Sequence, residues 1–179
     1  MKADSKIVAY IDGANLHKGV SALGWELDYS RFRTWLTHRF GVGKAYVFIG
    51  YISRDRDLYT YLNDSGFSLV FKEVIFDTNG RAKGNCDADL IVRTLQDIYE
   101  DQTERAIIVT SDGDYAPLIR LLMQKKKMSH VVSPTPRERC SVLLRKTNVP
   151  LLYLIDKQIL VSKIKRPPEG NASQTGSFL

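Results

Sequence analysis

Acidic side chains follow two short apolar runs of this 179-residue chain. The run Ile7–Ile11 ends at Asp12, and the run Ala106–Thr110 is followed closely by Asp112 and Asp114. The β-branched content of both runs predicts buried strands. In a parallel sheet the carboxyl ends of the strands share one edge, so Asp12 and Asp112 are expected to emerge together. Carboxylates that converge repel one another unless a cation lies between them, and oxygen ligands without His or Cys suit Mg²⁺ or Mn²⁺.

A third acid lies at the start of the predicted helix Asp87–Tyr99. With 100° between successive residues, Asp87 lies within about 40° of Ile91 and Thr94, and it therefore shares the inward stripe of the helix. Asp89 lies about 200° from Asp87 and is expected to face solvent. A charged side chain on a buried stripe is costly unless it is paired or bound to a metal. The spacing therefore favours Asp87 over Asp89 as a site residue.

Each acid also has an ordinary structural explanation. The pair Asp12-Gly13 is typical of a turn, Asp114 of a helix N-cap before Pro117, and Asp87 of charge compensation in a first helical turn. Three acids expected on one edge favour a metal or phosphate site over three unrelated explanations. The sequence contains no G-x-x-x-x-G-K-[ST] loop, no G-x-G-x-x-G after a strand and no G-x-S-x-G elbow, so phosphate-loop, dinucleotide and serine-hydrolase sites are not indicated.

The acids must be positioned by elements that alternate along the chain. Six strands are predicted at Ile7–Ile11, Ala45–Ile52, Phe67–Val74, Ala106–Thr110, Ser129–Val132 and Leu151–Ile155. Helices are predicted at Asp28–Phe40, Asp55–Asn63, Asp87–Tyr99, Tyr115–Lys126 and Arg137–Lys146, with a turn at Asp77–Arg81. This alternation predicts an α/β fold with a mostly parallel sheet and helices on both faces.

Composition indicates one ordinary globular domain. The chain is 44% hydrophobic and 26% charged, which argues against a disordered or disulfide-stapled chain. Cys86 and Cys140 have no metal-type spacing, the polar start predicts no signal peptide, and no apolar run approaches the length of a membrane span. We expect a folded domain over residues 1–162, a flexible basic and polar tail over residues 163–179, and a cytoplasmic location. The oligomeric state is not predicted.

Charge is divided unevenly along the chain. Residues 1–119 carry 14 Lys and Arg against 17 Asp and Glu, whereas residues 120–179 carry 12 against 3. A basic third beside a mildly acidic body predicts a surface for a polyanion, the alternative being a solvated, lysine-rich surface. Lys125, Lys126 and Lys127 stand at the end of a predicted helix, where cations are also favourable without any ligand.

Three segments resemble the signatures of a known family. Ile11–Leu16, Lys83–Asp87 and Thr110–Tyr115, the last followed by Pro117–Ile119, look like the motifs of NYN domains of the LabA-like group, relatives of PIN-domain nucleases. The resemblance spans residues 6–156. It implies a Rossmann-like PIN fold, a divalent-metal site and endoribonuclease activity.

The resemblance also implies roles for individual residues. The main acidic ligands would be Asp12, Asp87 and Asp112. Asp114 would be an additional ligand or would position water, and Asn15 would be a polar site residue at the start of the first helix. Members of the family often carry another acid six residues after the Asp of the second signature. This chain has Arg93 there, which implies a metal site poorer by one carboxylate.

Together these observations predict a metal-dependent phosphodiesterase that cleaves RNA with Mg²⁺ or Mn²⁺ bound to carboxylates. Arg81 and Lys83, before the acidic helix, are candidates to hold the RNA backbone, with Lys125, Lys126 and Lys127 at a greater distance.

Two alternatives remain open at this stage. Arg93 favours a non-catalytic RNA-binding or regulatory module with the same fold. A HAD-like phosphatase is the second alternative, because Ile107–Ser111 resembles a phosphate-binding strand end. It is disfavoured because Asp12 is followed by Gly-Ala-Asn, with no second acid two residues on.

Overall fold

The computed structural model describes residues 6–72, 75–76, 82–83 and 86–163. The predicted turn at 77–81 and the tail from residue 164 lie outside these ranges. Seven helices are described: α1 (Gly13–Ser21), α2 (Tyr29–Phe40), α3 (Arg56–Asp64), α4 (Asp87–Tyr99), α5 (Ala116–Gln124), α6 (Val142–Arg145) and α7 (Gln158–Val161). None of these helices combines the length and the apolar character needed to span a membrane.

The described strands form a large parallel sheet and a small antiparallel pair. The large sheet contains β1 (Ile7–Asp12), β2 (Lys44–Gly50), β3 (Ser68–Lys72), β6 (Arg105–Val109), β7 (Met128–Ser133) and β8 (Leu151–Tyr153). All five pairings within it are parallel. The short strands β4 (Ile75–Phe76) and β5 (Ala82–Lys83) pair antiparallel. The predicted α/β fold with a mostly parallel sheet is confirmed.

Side-chain alternation in the sheet builds one core on each face. In β1, Ala9 and Ile11 lie in a core with residues of α1 and α2, whereas Val8 and Tyr10 lie in a second core with residues of α4 and α5. All four side chains are at most 4% exposed. The molecule therefore has helices on both faces of a sheet that is buried from both sides.

The order of the strands reverses beside β1. The sheet runs β3-β2-β1-β6-β7-β8, so the chain first builds outward from β1 on one side and then returns to build outward on the other. Ligands of such sheets bind in the crevice outside the carboxyl ends of the strands at this reversal. Here the crevice lies between the ends of β1 and β6, which are the strands that lead into the predicted acids.

The predicted helix Arg137–Lys146 is wrong over its first half, because only Val142–Arg145 is helical. The preceding residues form a turn in which the backbone N–H groups of residues 139 and 140 donate to the Pro136 carbonyl. The N–H of Ser141 then donates to the Ser111 carbonyl at 3.1 Å. This long-range bond ties the turn to the loop after β6, and no local pattern indicates it.

Other boundaries differ from the predictions by a few residues. Strand β2 ends at Gly50 rather than at Ile52, and the last strand, β8, ends at Tyr153, where a short 3₁₀ helix begins. Helix α7 is only four residues long, so it is too short to show a hydrophobic period.

Candidate metal centre

Three carboxylates converge at the strand-order reversal. Each of Asp87, Asp112 and Asp114 offers an oxygen, and these oxygens lie within 4.8 Å of one another. Asp87 is the first residue of α4, and the other two flank Gly113 in the loop after β6. Asp87 and Asp112 are half-buried and Asp114 is exposed. The sequence-predicted acids from two separate elements are thus brought together at one edge.

The loop after β6 is shaped by its own hydrogen bonds. The Asp112 carboxylate accepts from the backbone N–H of Asp114 at 3.0 Å, and the Asp112 N–H donates to the Thr110 hydroxyl at 3.1 Å. Asp112 therefore caps the 3₁₀ turn Gly113–Tyr115. The N-cap position of α5 is Tyr115, with no side-chain cap, so Asp114 does not have the capping role that could otherwise explain it.

The residue at position 113 must be glycine because the backbone there lies against the side chains of Ser141 and Leu143. A Cβ at this position would collide with the Ser141 hydroxyl and would lie 3.1 Å from the Leu143 Cδ1 atom. The absence of a side chain lets the acidic loop pack directly against the start of α6. The same loop is therefore anchored both through Gly113 and through the Ser141–Ser111 backbone bond.

Asp12 lies behind the three converging carboxylates. It is 7% exposed and caps α1, accepting from the Asn15 backbone N–H at 2.9 Å. Its oxygens are not among the group within 4.8 Å. Asp12 is therefore a helix cap rather than part of a simple turn, and its connection to the cluster runs through another side chain.

Tyr115 makes that connection. Its hydroxyl lies 2.5 Å from Asp87 Oδ1 and 3.3 Å from Asp12 Oδ2, and the side chain is fully buried. A phenol has one proton to donate, and the shorter distance makes Asp87 its acceptor, with Asp12 next to the same hydroxyl. No role is predicted for Tyr115 beyond its place in the third signature, because its contacts depend on residues 28 and 103 positions away.

Burial raises the pKa values of the side chains that lie behind the three carboxylates. Desolvation raises the pKa of Asp12 above its ordinary value, and the charges of Asp87 and Asp112 raise it further. Desolvation and the Asp12 charge raise the pKa of the Tyr115 phenol as well. Desolvation also raises the pKa of the neighbouring Cys86 thiol to about 11, so this thiol is protonated at neutral pH. A cation at the cluster would relieve the repulsion that acts on Asp12.

Asn15 fastens the start of α1 to the loop after β6. Its side-chain oxygen accepts from the backbone N–H of Ser111 at 2.8 Å and from the Ser111 hydroxyl at 2.9 Å. No hydrogen bond of its Nδ2 group to another described residue is found. An amide with two donors is thus held beside the carboxylates.

Asp89 and Arg93, on the same helix as Asp87, have other partners. Asp89 is exposed and forms an ion pair with Lys72 at 3.2 Å. Arg93 pairs with Asp97 at 2.8 Å, donates to the Tyr46 hydroxyl, and stacks on the Tyr46 ring. The choice of Asp87 over Asp89 agrees with this arrangement, and Arg93 is engaged with Asp97 and Tyr46.

Three of the basic candidates, which the structure describes, lie away from the acids. Lys125, Lys126 and Lys127 follow α5, and the Lys127 carbonyl accepts from Ala106 at the start of β6. The acids follow the other end of that strand, which at ~3.3 Å per residue is about 16 Å long. Arg81 lies outside the described residues, and the side chain of Lys83 is not among the described side chains.

Comparisons with known proteins agree with this architecture. The family model of the NYN domain matches residues 6–149. A crystal structure of a protein of unknown function from Vibrio parahaemolyticus is similar, with a TM-score of 0.71 and 22% sequence identity over 90% of this chain and 99% of that one. At that identity the likeness shows the fold alone. None of the curated proteins compared with the chain matches it.

Proposed function

The chain belongs to the NYN domain family, and from this premise we propose that it is a divalent-metal-dependent phosphodiesterase that cleaves RNA. The family lies within the PIN-like nuclease superfamily, and the acidic cluster is compatible with a metal site. Membership of the LabA-like group and a cytoplasmic location belong to the same proposal. The observation that carries it is the convergence of three carboxylates within 4.8 Å at the strand-order reversal.

The donor set fits a hard cation. The converging ligand atoms are all carboxylate oxygens, which are the ligands that Mg²⁺ and Mn²⁺ prefer. Asp87, Asp112 and Asp114 would hold the ion, and Asp12 would support the site from its buried side. When bound, such an ion lowers the pKa of a water molecule that it binds, and it neutralises negative charge that develops on a phosphate.

Two uncharged side chains complete the proposed site. Tyr115 orients Asp87 by donating its hydroxyl proton at 2.5 Å, with Asp12 Oδ2 3.3 Å from the same hydroxyl, as outer partners of metal ligands do. Asn15 is held by Ser111 through its side-chain oxygen, which leaves its Nδ2 group to donate to a phosphate oxygen. We assign Asn15 to the binding of the scissile phosphate and Tyr115 to positioning.

The alternatives have less support. A HAD-like phosphatase needs an aspartate free to attack phosphorus, whereas Asp12 is 7% exposed and each of its oxygens has a hydrogen-bond partner. The argument for a non-catalytic module rested on Arg93. That side chain is engaged with Asp97 and Tyr46 rather than with the cluster, and three carboxylates converge without an acid at its position.

The experiment that tests the proposal presents several substrates to the protein in Mn²⁺, in Mg²⁺ and in EDTA. The substrates are a mixture of single-stranded and structured RNAs and a small phosphomonoester. We expect metal-dependent internal cleavage of RNA and no release of phosphate from the monoester. RNA binding without cleavage in either metal would favour the non-catalytic module, and turnover of the monoester alone would favour the phosphatase.

A further inference from the structure

Two exposed aromatic side chains lie side by side at the carboxyl edge of the sheet. Tyr51 follows β2 and is 44% exposed, and Phe71 lies near the end of β3 and is 46% exposed. Their ring centroids are 5.5 Å apart in an edge-to-face arrangement. Buried Tyr59 lies beneath both, stacked on Tyr51 at 5.8 Å and edge-to-face with Phe71 at 4.8 Å. We refer to Tyr51 and Phe71 as the aromatic pair.

The aromatic pair is held by backbone bonds as well as by packing. The Tyr51 N–H donates to the Lys72 carbonyl at 2.9 Å. The Tyr59 hydroxyl accepts from the Ile52 N–H at 2.8 Å. The rings are thus presented to solvent from an ordered backbone, so a flat ligand would meet them at little cost in conformational entropy.

Tyr51 lies one strand away from Asp12, which stands on the buried side of the acidic cluster, and Phe71 lies one strand further. The register pairs Asp12 with Phe48 of β2, three residues before Tyr51. With ~3.3 Å per residue along a strand and ~4.8 Å between strands, the backbones of Asp12 and Tyr51 are about 11 Å apart. Lys72, next to Phe71, forms an ion pair with Asp89, two residues after Asp87. Because neighbouring residues of a strand point to opposite faces, Lys72 lies on the α4 face and Phe71 on the α3 face. The rings and the acids therefore border one edge of the sheet from its two faces.

Two arginines lie close to Tyr51 of the aromatic pair in sequence. Arg54 and Arg56 follow Tyr51 at the start of α3, and both are exposed. The Arg54 side chain is 85% exposed, and its nitrogen lies 3.8 Å from an Asp55 oxygen. Exposed aromatic rings beside cations are the combination by which proteins bind single-stranded nucleic acid, with rings for bases and cations for phosphates.

We propose that the aromatic pair stacks on an unpaired base of the RNA whose phosphate lies at the acidic cluster, while Arg54 and Arg56 contact neighbouring phosphates. This inference rests on the proposed function and adds to it the requirement that the substrate is single-stranded at the stacked position. A base within a duplex already has both faces covered and cannot reach a protein ring. Because every base has a π face, the contact selects strandedness rather than sequence.

The test compares ring-removing with ring-retaining variants of the full chain. Tyr51→Leu and Phe71→Leu remove a ring and keep an apolar side chain, whereas Tyr51→Phe and Phe71→Tyr keep the ring. Tyr99→Leu is the matched control, because Tyr99 is 91% exposed on α4 and outside the aromatic pair. Binding of one RNA sequence, single-stranded and as a duplex, is measured in Ca²⁺ to limit turnover. Thermal melting checks that each variant is folded.

We expect each Leu variant to bind the single strand roughly 5- to 100-fold more weakly. The ring-retaining variants and Tyr99→Leu are expected to match the parent, and duplex binding is expected to be unchanged. A second measurement removes one base at a time from the RNA. At one position, removing the base should weaken binding of the RNA to the parent as much as Tyr51→Leu does. Removing the same base should cause no further loss of binding to the Tyr51→Leu variant.

The two proposals fail in different ways. If both Leu variants bind the single strand as the parent does, or weaken duplex binding equally, stacking on the aromatic pair is refuted while RNA cleavage by the parent stands. If the parent neither binds nor cleaves RNA, both proposals are refuted. Tyr51→Leu decides the outcome even if Phe71→Leu does not fold, because the backbone bond of Tyr51 does not involve its side chain.

Discussion

At the scale of single residues, two aspartates separated by one alanine have different surroundings. Asp87 lies within the group of converging oxygens and accepts from the Tyr115 hydroxyl. Asp89 is on the solvent side of α4 and pairs with Lys72. Helical periodicity predicts this difference from the sequence. It does not predict Tyr115, because nothing local links that residue to Asp12 and Asp87.

The first prediction compares the two aspartates directly. Asp87→Asn is expected to lower the rate of RNA cleavage by at least about a hundredfold, since even outer partners of metal ligands cost 10- to 100-fold. Asp89→Asn is expected to change the rate by less than about fivefold, because exposed ion pairs are worth at most ~1 kcal/mol. Rates are measured in saturating Mn²⁺. Equal losses in the two variants would contradict the assignment of Asp87.

The second prediction concerns the charge on Asp12. Burial raises the pKa of this carboxyl, so the metal-free fold loses stability as pH rises through that pKa, because the unfolded chain ionises more readily. In EDTA at neutral pH, Asp12→Asn is therefore expected to raise the free energy of unfolding. The gain should disappear at a pH below the ordinary carboxyl pKa, where folded and unfolded chains are both protonated.

Adding metal should reverse the order of stability. The parent gains about 2.7 kcal/mol at a Mn²⁺ concentration 100 times its Kd, and the variant gains less because it binds the ion more weakly. Denaturant unfolding in EDTA and in Mn²⁺ measures both effects. A variant that is less stable than the parent in EDTA, or that gains as much from Mn²⁺, would show that Asp12 is not part of a charged metal site.

At the scale of elements, prediction succeeds where the signals are local. Helix α4 begins at Asp87 and ends at Tyr99 as predicted, and α2 has the predicted Asp28 cap and a Gly41 with φ of 72° at its end. Helix α6 is shorter than predicted because the Ser141 N–H bonds to the Ser111 carbonyl across the molecule. The same tertiary contact positions the acidic loop. The sequence therefore predicts the meeting of Asp87, Asp112 and Asp114, but neither that Asp12 lies outside their group nor what holds them.

The third prediction tests how that loop is anchored. Gly113→Ala is expected to lower the free energy of unfolding by about 1–3 kcal/mol, as overpacking does, and to reduce cleavage, because the added Cβ collides with the Ser141 hydroxyl.

Ser141→Ala alone removes the cap that the hydroxyl provides to α6 and should lower the free energy of unfolding by about 1 kcal/mol. The double variant should be more stable than the sum of the two losses implies. Simple additivity, or a Gly113→Ala protein as stable as the parent, would show that the loop is not packed as described.

At the scale of the whole molecule, charge is separated between the two edges of the sheet. The acids, the aromatic pair and Arg54 lie at the carboxyl edge, whereas Lys125, Lys126 and Lys127 lie at the amino edge. The sequence predicts the basic third of the chain and the greater distance of these three lysines from the acids. The division into a domain of residues 1–162 and a tail of residues 163–179 stays a prediction.

The fourth prediction uses salt to locate the RNA. If RNA contacts a handful of phosphate-binding groups, the slope of log K against log salt is roughly −2 to −4, with about −0.7 for each contacted phosphate. Replacing Arg54 and Arg56 with Gln is expected to make the slope shallower by about one or two such contacts. Replacing Lys125, Lys126 and Lys127 with Gln tests the contact role that the sequence suggests for them. Because these lysines lie at the amino edge, away from the acids, we expect the slope to stay unchanged when they are replaced. A slope made shallower by the lysine variant alone would place the RNA path at the amino edge.

The central claim is that the converging carboxylates cleave RNA by holding a divalent cation, and one chelation experiment tests it most directly. Cleavage of a single-stranded RNA is followed for the parent and for Asp112→Asn, first in Mn²⁺, then after excess EDTA, then after Mn²⁺ is restored. The account predicts that the parent cleaves, stops and resumes, while Asp112→Asn remains folded and slower by at least about a hundredfold in both Mn²⁺ stages. Cleavage that persists in EDTA, or an Asp112→Asn protein as fast as the parent, would contradict it.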